Sequence, residues 1–490
     1  MVPPWIRVPG YGSHASGHLP RWRRPNPGHT LAARNPCTTE KAVLTDLDTS
    51  GTAPAPVREA PPRGSLAPDR GPPTQLPDAP GRPPAAPLAA GAFAALRHRN
   101  FRLFWFGQLF SLTGTWMQST AQGWLVLELT NSELLLGLVT AASSLPVLLF
   151  TLYAGVVADR MEKRRIILAA QGAALVFALA LGLLTGTGHI TLGWILLLVL
   201  LFGTANAFEV PTRQSFFVDL VGKEDLTNAI ALNSAAFNLT RVIGPAVAGV
   251  LIGTVGIAAA FFLNALSYLG VIGGLLLIRL PKFRPPPRTQ STVENLREGF
   301  AWIRGNRLPK TLVGLIAAFS ILAFPYAMLL PVFARDVLGV GAPGLGALLS
   351  ATGAGALAGG IALAVIGDRV RRGPLLLVSS LSFTSLLVAF AFSRSFTLSL
   401  VLLAAAGFTM ILNNATTNAL LQSLVPDALR GRVMSVYVFM FLGMTPVGSL
   451  QAGAVARWLG APVALAGGGV VLLLVILIVW WRVPELREVR

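Results

Sequence analysis

The chain has 490 residues, 53% of them apolar and 12% charged, with a mean hydropathy of +0.64. A soluble protein of this length needs far more polar side chains to cover its surface, which excludes the soluble classes. The formal charge of +18 does not indicate a nucleic-acid partner, because the bases fall in short clusters between apolar runs.

Residues 1–90 differ from the rest. Nineteen of the 35 prolines fall between Pro3 and Pro87, among Gly, Ala and Arg, with no apolar period. Such a stretch cannot bury enough apolar surface to offset chain entropy, which predicts a disordered tail. It holds the single cysteine, Cys37, so there is no disulfide framework. It also lacks the apolar core of a secretory signal peptide.

From Phe101 onward, apolar stretches of about 20 residues recur, each long enough to cross a hydrocarbon core of ~30 Å. The expected spans are 102–127, 134–158, 165–187, 191–213, 229–254, 258–279, 311–334, 343–366, 374–393, 396–421, 433–456 and 461–482. Backbone amides inside a bilayer must bond within their own segment, so these are helices; barrel strands would alternate over about ten residues. The connection 281–310 separates two six-helix halves, 91–280 and 311–482, and 483–490 forms a short tail. Within that connection, Val293, Leu296, Phe300 and Ile303 share one face of an amphipathic helix. It either lies on the membrane surface or is a solvated linker.

The bases orient the spans. With both termini on one side, that side receives 25 of the Lys and Arg residues from Arg97 onward, and the other receives Arg335, Arg394 and Arg457. This is a positive-inside pattern with cytoplasmic termini, and it requires an even number of spans. The halves also echo each other: Ala158-Asp159-Arg160 recurs as Gly367-Asp368-Arg369, and Asp219-Leu220-Val221 as Ser423-Leu424-Val425. A duplicated six-helix unit is the usual imprint of secondary transporters.

Charged groups inside the spans are few. Arg241 is the only base placed well within one; such a residue faces a cavity or a partner, or clamps helix-end carbonyls. Glu209 lies in the inner half of the fourth span with Arg213 one turn on, and Asn206 shares their face; the pair is either a static closure of the helix end or a coupling element. If Arg213 is close in one transport state and distant in another, the proton affinity of the carboxylate differs between them. Glu128 sits at the outer end of the first span and reads as interfacial.

Polar stripes run along the first span (Gln108, Thr115, Gln118, Gln122) and the tenth (Asn414, Asn418, Gln422). They either contact cargo or bond helix to helix. Phe319, Phe324, Tyr326 and Met328 form either an apolar cargo wall or ordinary packing.

An enzyme is not expected. No histidine lies within a span, Cys37 is in the tail, and no close pair of intramembrane acids occurs, so no metal or acid–base site can be assembled there. A phosphate-binding loop is absent too, which excludes an ATP-driven pump. No cofactor is expected.

The stretch Gly155-Val-Val-Ala-Asp159-Arg160-Met-Glu162-Lys163-Arg164-Arg165 resembles the signature between helices two and three of the major facilitator superfamily, departing from it at Glu162, where the family prefers Gly. Asn206 through Phe216, followed by Glu224-Asp225-Leu226, Asn228-Ala229, Asn233-Ser234, Arg241, Gly244-Pro245 and Gly249, resembles its branch of enterobactin exporters and macrolide efflux proteins. The resemblance implies the major facilitator fold, an all-α membrane protein of twelve transmembrane helices in two six-helix repeats.

The resemblance also implies proton-coupled export of a small drug, siderophore or metabolite by a monomer in the plasma membrane, with lipid around it. An importer of the same fold is the alternative, and a non-transporting sensor or scaffold a lesser one. By the same resemblance Asp159 meets the start of the eleventh helix near Arg432 and Val433. Arg160, Arg164 and their counterparts Asp368 and Arg369 then join the inner gate, unless these residues serve orientation only. Gly155 is expected where helices pack closely, and Gly244-Pro245 as a kink that bends during the cycle. The mid-span arginine of many drug–proton antiporters is missing from the fourth span, where 196–202 is wholly apolar. Coupling by that route is not implied.

Overall fold

The computed structural model of the chain describes residues 91, 93–280, 292–366 and 369–489, within the compact unit Arg82–Arg490. The expected disordered tail and Asp368 lie outside the described residues, as does the side chain of Asp159.

The described residues are helical, with no strand among them. Six long helices come first: α1 (Arg99–Thr130), α2 (Glu133–Arg160), α3 (Lys163–Gly186), α4 (Leu192–Val221), α5 (Leu226–Thr254) and α6 (Ile257–Leu277). A shorter helix, α7 (Thr292–Gly305), precedes the second set. There the seventh span is α8 (Arg307–Leu322) plus α9 (Tyr326–Val332) and a π turn, Phe333–Val337. It is followed by α10 (Gly341–Ile366), α11 (Arg372–Phe392) and α12 (Phe396–Leu424). The eleventh span is α13 (Arg430–Gly443) plus α14 (Thr445–Leu459), and α15 (Ala461–Arg482) is the twelfth.

Eleven of these spans are long and apolar enough to cross a membrane by composition alone. The exception is α1, whose 32 residues carry the polar stripe. Gln108 and Gln118 are only 4% exposed, so the stripe faces protein and the helix spans despite it.

Two expected spans are broken. The seventh is interrupted at Ala323–Pro325, where the proline has no amide to continue the ladder. The eleventh breaks at Met444, between Gly443 and Pro446. Pro245 does not break α5, which runs unbroken past it. The opposite-side loops are short because helices stop and restart on caps: Asn131 ends α1 with φ 47°, and the Ser132, Thr191 and Ser395 hydroxyls accept amide bonds that open α2, α4 and α12.

Within the first six spans α1 packs on α5 and α6, α2 on α4, and α3 on α4 and α6. Within the last six, α12 packs on α10 and α11, and α15 on α11 and α14. Two seams join the sets, α5 with α10 and α2 with α14. Both close on glycines away from the basic loops. A Cβ on Gly346 would lie 2.5 Å from the Pro245 carbonyl oxygen and 3.0 Å from Gly249 Cα, and one on Gly137 would lie 2.5 Å from the Ser449 oxygen. Toward the basic face the sets separate. Gly155 and Gly360 would meet no described atom within 4 Å if given a Cβ, and an almost wholly apolar cavity of about 350 Å³ opens between α2 and α13. The close packing expected at Gly155 is therefore absent in this conformation.

The face of α7 that was expected to rest on lipid or water is covered by protein instead. Leu296, Phe300 and Ile303 pack against Val433, Val436 and Tyr437, the Phe300 and Phe439 rings meet at 6.3 Å, and Glu298 pairs with Arg432. Gly299 permits this seat, since its Cβ would fall 2.6 Å from the Arg432 oxygen.

Candidate transport cavity

Between the two sets of spans lies a cavity of about 210 Å³ lined from α1, α2, α5, α9 and α10. Its polar groups are Trp116, Ser119, Thr120, Gln122, Thr140, Ser143, Arg241, Tyr326 and Thr352. Arg241, half-buried, sits 5.7 Å from the Trp116 ring centre, a cation–π distance, with the Tyr326 hydroxyl as its polar neighbour. Its side chain reaches no helix-end carbonyl among the described residues, so the clamp alternative falls away. Gly244 places α5 here, because a Cβ would come 2.5 Å from Trp116 Cβ; its observed role is a packing notch against α1.

A second, smaller cavity of about 50 Å³ lies inside the first six spans, lined by Gln108, Thr115, Asn206, Glu209 and Arg213 among others. Arg213 Nε approaches Glu209 Oε1 to 2.9 Å with both side chains buried; the N–H is not aligned for a hydrogen bond, so the contact is one of charge. Gln171 donates to the same carboxylate oxygen at 3.5 Å and accepts from Ser111 Oγ at 3.3 Å. Farther along, the Tyr268 hydroxyl lies 3.4 Å from Thr115 Oγ1 and accepts from Asn264 at 3.2 Å, while Asn264 donates to Gln118 at 2.7 Å. These buried polar groups border a pocket that holds an acid and a base.

Elsewhere, Arg335 donates to the Leu127 carbonyl at 3.1 Å and to Asn131 Oδ1 at 2.5 Å. It thereby ties the seventh span to the end of α1 on the side opposite the basic loops.

Residues 90–489 match the model of a family described as transmembrane secretion effector, within the major facilitator superfamily. The chain belongs to that family. It is 26% identical over 362 residues to the staphyloferrin A transporter of Staphylococcus aureus, covering 73% of this chain and 90% of that one. It is likewise 26% identical over 373 residues to the enterobactin exporter EntS of Shigella boydii, covering 75% and 88%. The crystal structure of a D-xylose-proton symporter superposes with a TM-score of 0.62 at 16% identity, covering 78% of this chain and 98% of that one; at this identity the likeness shows the fold alone. The chain is a major facilitator transporter and not an enzyme.

For this transmembrane secretion effector, the structure sorts the residues picked from sequence. Gln122, Arg241, Pro245 and Tyr326 line the central cavity. Asn206, Glu209 and Arg213 line the inner one. Gln118 lines neither: its side-chain oxygen accepts from Asn264 at 2.7 Å, the helix-to-helix bond that the sequence left as one alternative. Trp116, Ser119 and Gln122 on the same stretch of α1 line the central cavity, so Gln118 lies on another face of the helix, toward Asn264 on α6. Asn414 and Asn418 line none of the three described cavities, and Asn418 accepts from Gln422 instead. Phe319 and Phe324 pack around Phe383, whereas Met328 reaches the cavity.

At the basic face, Lys163 bonds Asp219 at 2.9 Å, and Arg164 bonds the Leu275 and Leu276 carbonyls at 2.7 and 3.0 Å. In this conformation these bases cap α6 and hold α3 to α4, rather than bridging to the last six spans. Arg160 and Arg369 are exposed. Glu162 has φ −60°, open to any residue, so the missing glycine costs the turn nothing.

Sequence inspection missed Trp116, Gln171, Asn264 and Tyr268, because a polar or aromatic residue in an apolar run does not announce its neighbour.

Proposed function

We propose that the chain exports a small organic molecule by alternating access. The central cavity serves as the cargo site, and the Glu209–Arg213 pair couples transport to protons. The observation that carries this reading is the asymmetry of the seams, glycine-tight away from the basic loops and parted by a large cavity toward them. Such a cavity between two rocking bundles, with 91–280 and 311–482 as the moving units, is what alternating access needs. The enterobactin exporter among its relatives favours the outward direction.

The basic face then lies in the cytoplasm of a plasma-membrane protein acting as a monomer, and this conformation is inward-facing. The inner gate closes when Asp159 docks at the start of α13, with Asp368 in the equivalent place of the second repeat. Gly244-Pro245 bends as α5 rocks.

Reporters fused at Arg165 and Arg304 are expected to read as cytoplasmic, and one at His189 as external. An external signal at Arg304 overturns the orientation. The function itself is tested by a cargo screen in energised inverted vesicles, with and without a proton gradient. Gradient-dependent accumulation supports proton-driven export, whereas accumulation only in right-side-out vesicles makes the protein an importer.

A further inference from the structure

We infer that the central cavity selects an organic anion, with Arg241 as the group that binds its carboxylate or other oxyanion. The proposal deepens the transport reading, but its charge selectivity stands on the cavity alone.

Arg241 is the only formally charged side chain among the described residues that line the cavity. It takes part in none of the ion pairs among the described residues, and its side-chain neighbours are the Trp116 ring and the Tyr326 hydroxyl. A guanidinium held in a low-dielectric span is costly, and a charge so placed is retained with a partner or for a function. Among the described residues none supplies a counter-charge, so the cavity carries a net positive charge that a cargo anion neutralises. The planar fork of arginine matches a carboxylate through two parallel bonds. A cationic cargo would meet repulsion with no acid to offset it.

The neutral lining agrees. Among the described residues Gln122 has no side-chain hydrogen-bond partner, which leaves its amide protons for an anion's second oxygen. Trp116, Met328, Leu345 and Leu349 supply apolar walls for the body of the molecule.

The position of Arg241 also ties binding to the cycle. The residue belongs to α5, while Tyr326 and Thr352 come from the last six spans. Gly353 brings α10 so near that its Cβ would lie 3.0 Å from the Arg241 carbonyl oxygen. An anion held here touches both moving halves.

The test uses three isosteres of charge −1, 0 and +1 at pH 7: 2-naphthoate, 2-naphthamide and 2-naphthamidine. Equilibrium dialysis against the purified full-length protein is expected to show the acid binding about tenfold or more tightly than the amide, as a charge-assisted bond contributes, with the amidine weakest. Arg241→Gln should erase the preference, and Arg241→Lys should keep part of it. The comparison on the unmodified chain needs no variant to fold. Equal binding of acid and amide, tighter binding of the amidine, or a preference untouched by Arg241→Gln overturns the proposal.

Vesicle flux separates this proposal from the one it deepens. Naphthoate accumulating only in right-side-out vesicles keeps the anion site and sinks export. Naphthamidine accumulating in inverted vesicles keeps export and sinks the anion site.

Discussion

A Gly346→Leu chain is expected to insert and fold but to lose transport, because the seam between α5 and α10 can no longer close. In the structure a Cβ on Gly346 already falls 2.5 Å from the Pro245 carbonyl oxygen, and three further carbons have nowhere to go. Overpacking of this kind costs about 1–3 kcal/mol when the surroundings can yield. Here they yield by parting α5 from α10, which on the proposed orientation is the outward-open arrangement. A bias of that size shifts the two-state balance by about 5- to 150-fold.

The readout is external labelling of Gln122→Cys in a Cys37→Ser background by an impermeant thiol reagent. Labelling should rise in the Gly346→Leu variant. Gly155→Leu makes the opposite case, since its side chain enters open space in this conformation and obstructs closure of the basic face. It should leave Gln122→Cys protected from outside while also stopping transport. Unchanged labelling with normal flux in both variants overturns the assignment of the two faces.

Glu209→Gln should abolish gradient-driven accumulation while sparing downhill exchange. The substitution keeps the shape but leaves Arg213 as a buried, uncompensated charge, and breaking a buried pair this way costs about 3–5 kcal/mol. A loss of activity in the single variant is therefore ambiguous between instability and lost coupling. The double variant Glu209→Gln, Arg213→Gln separates the two, because it removes both charges and restores much of the stability. If the pair couples transport, the double variant regains thermal stability and keeps downhill exchange, still without gradient-driven accumulation. Proton-driven accumulation in the double variant reduces Glu209 and Arg213 to a structural closure of α4.

The spans were legible from sequence because a bilayer imposes one length and one composition on each. The expected 396–421 became α12 at Phe396–Leu424, and the expected 191–213 became the longer α4, extended on the basic side by residues through Val221. Helix continuity was not legible. Pro146, Pro211 and Pro245 sit inside unbroken helices, whereas Pro325 stands at a break, since neighbouring elements decide whether a lost amide bond is tolerated.

Side-chain roles divided in the same way. Glu209 and Arg213 were readable because their partners lie one turn apart. Gln118 stayed open between cargo and a helix-to-helix bond because its partner, Asn264, is 146 residues distant. Arg335 counted only as a stray base on the sparsely charged side, and its tie depends on the left-handed cap at Asn131.

The seat of α7 on α13 bears on how the halves can be joined. With α7 fixed to the last six spans, the covalent tie from the end of α6 is residues 278–291. Fourteen residues reach at most about 46–50 Å when fully extended, which bounds how far the end of α6 can stand from the start of α7. Within that bound, how closely the two sets approach is decided at the glycine seams and at the seat of α7, and not by the length of the connection.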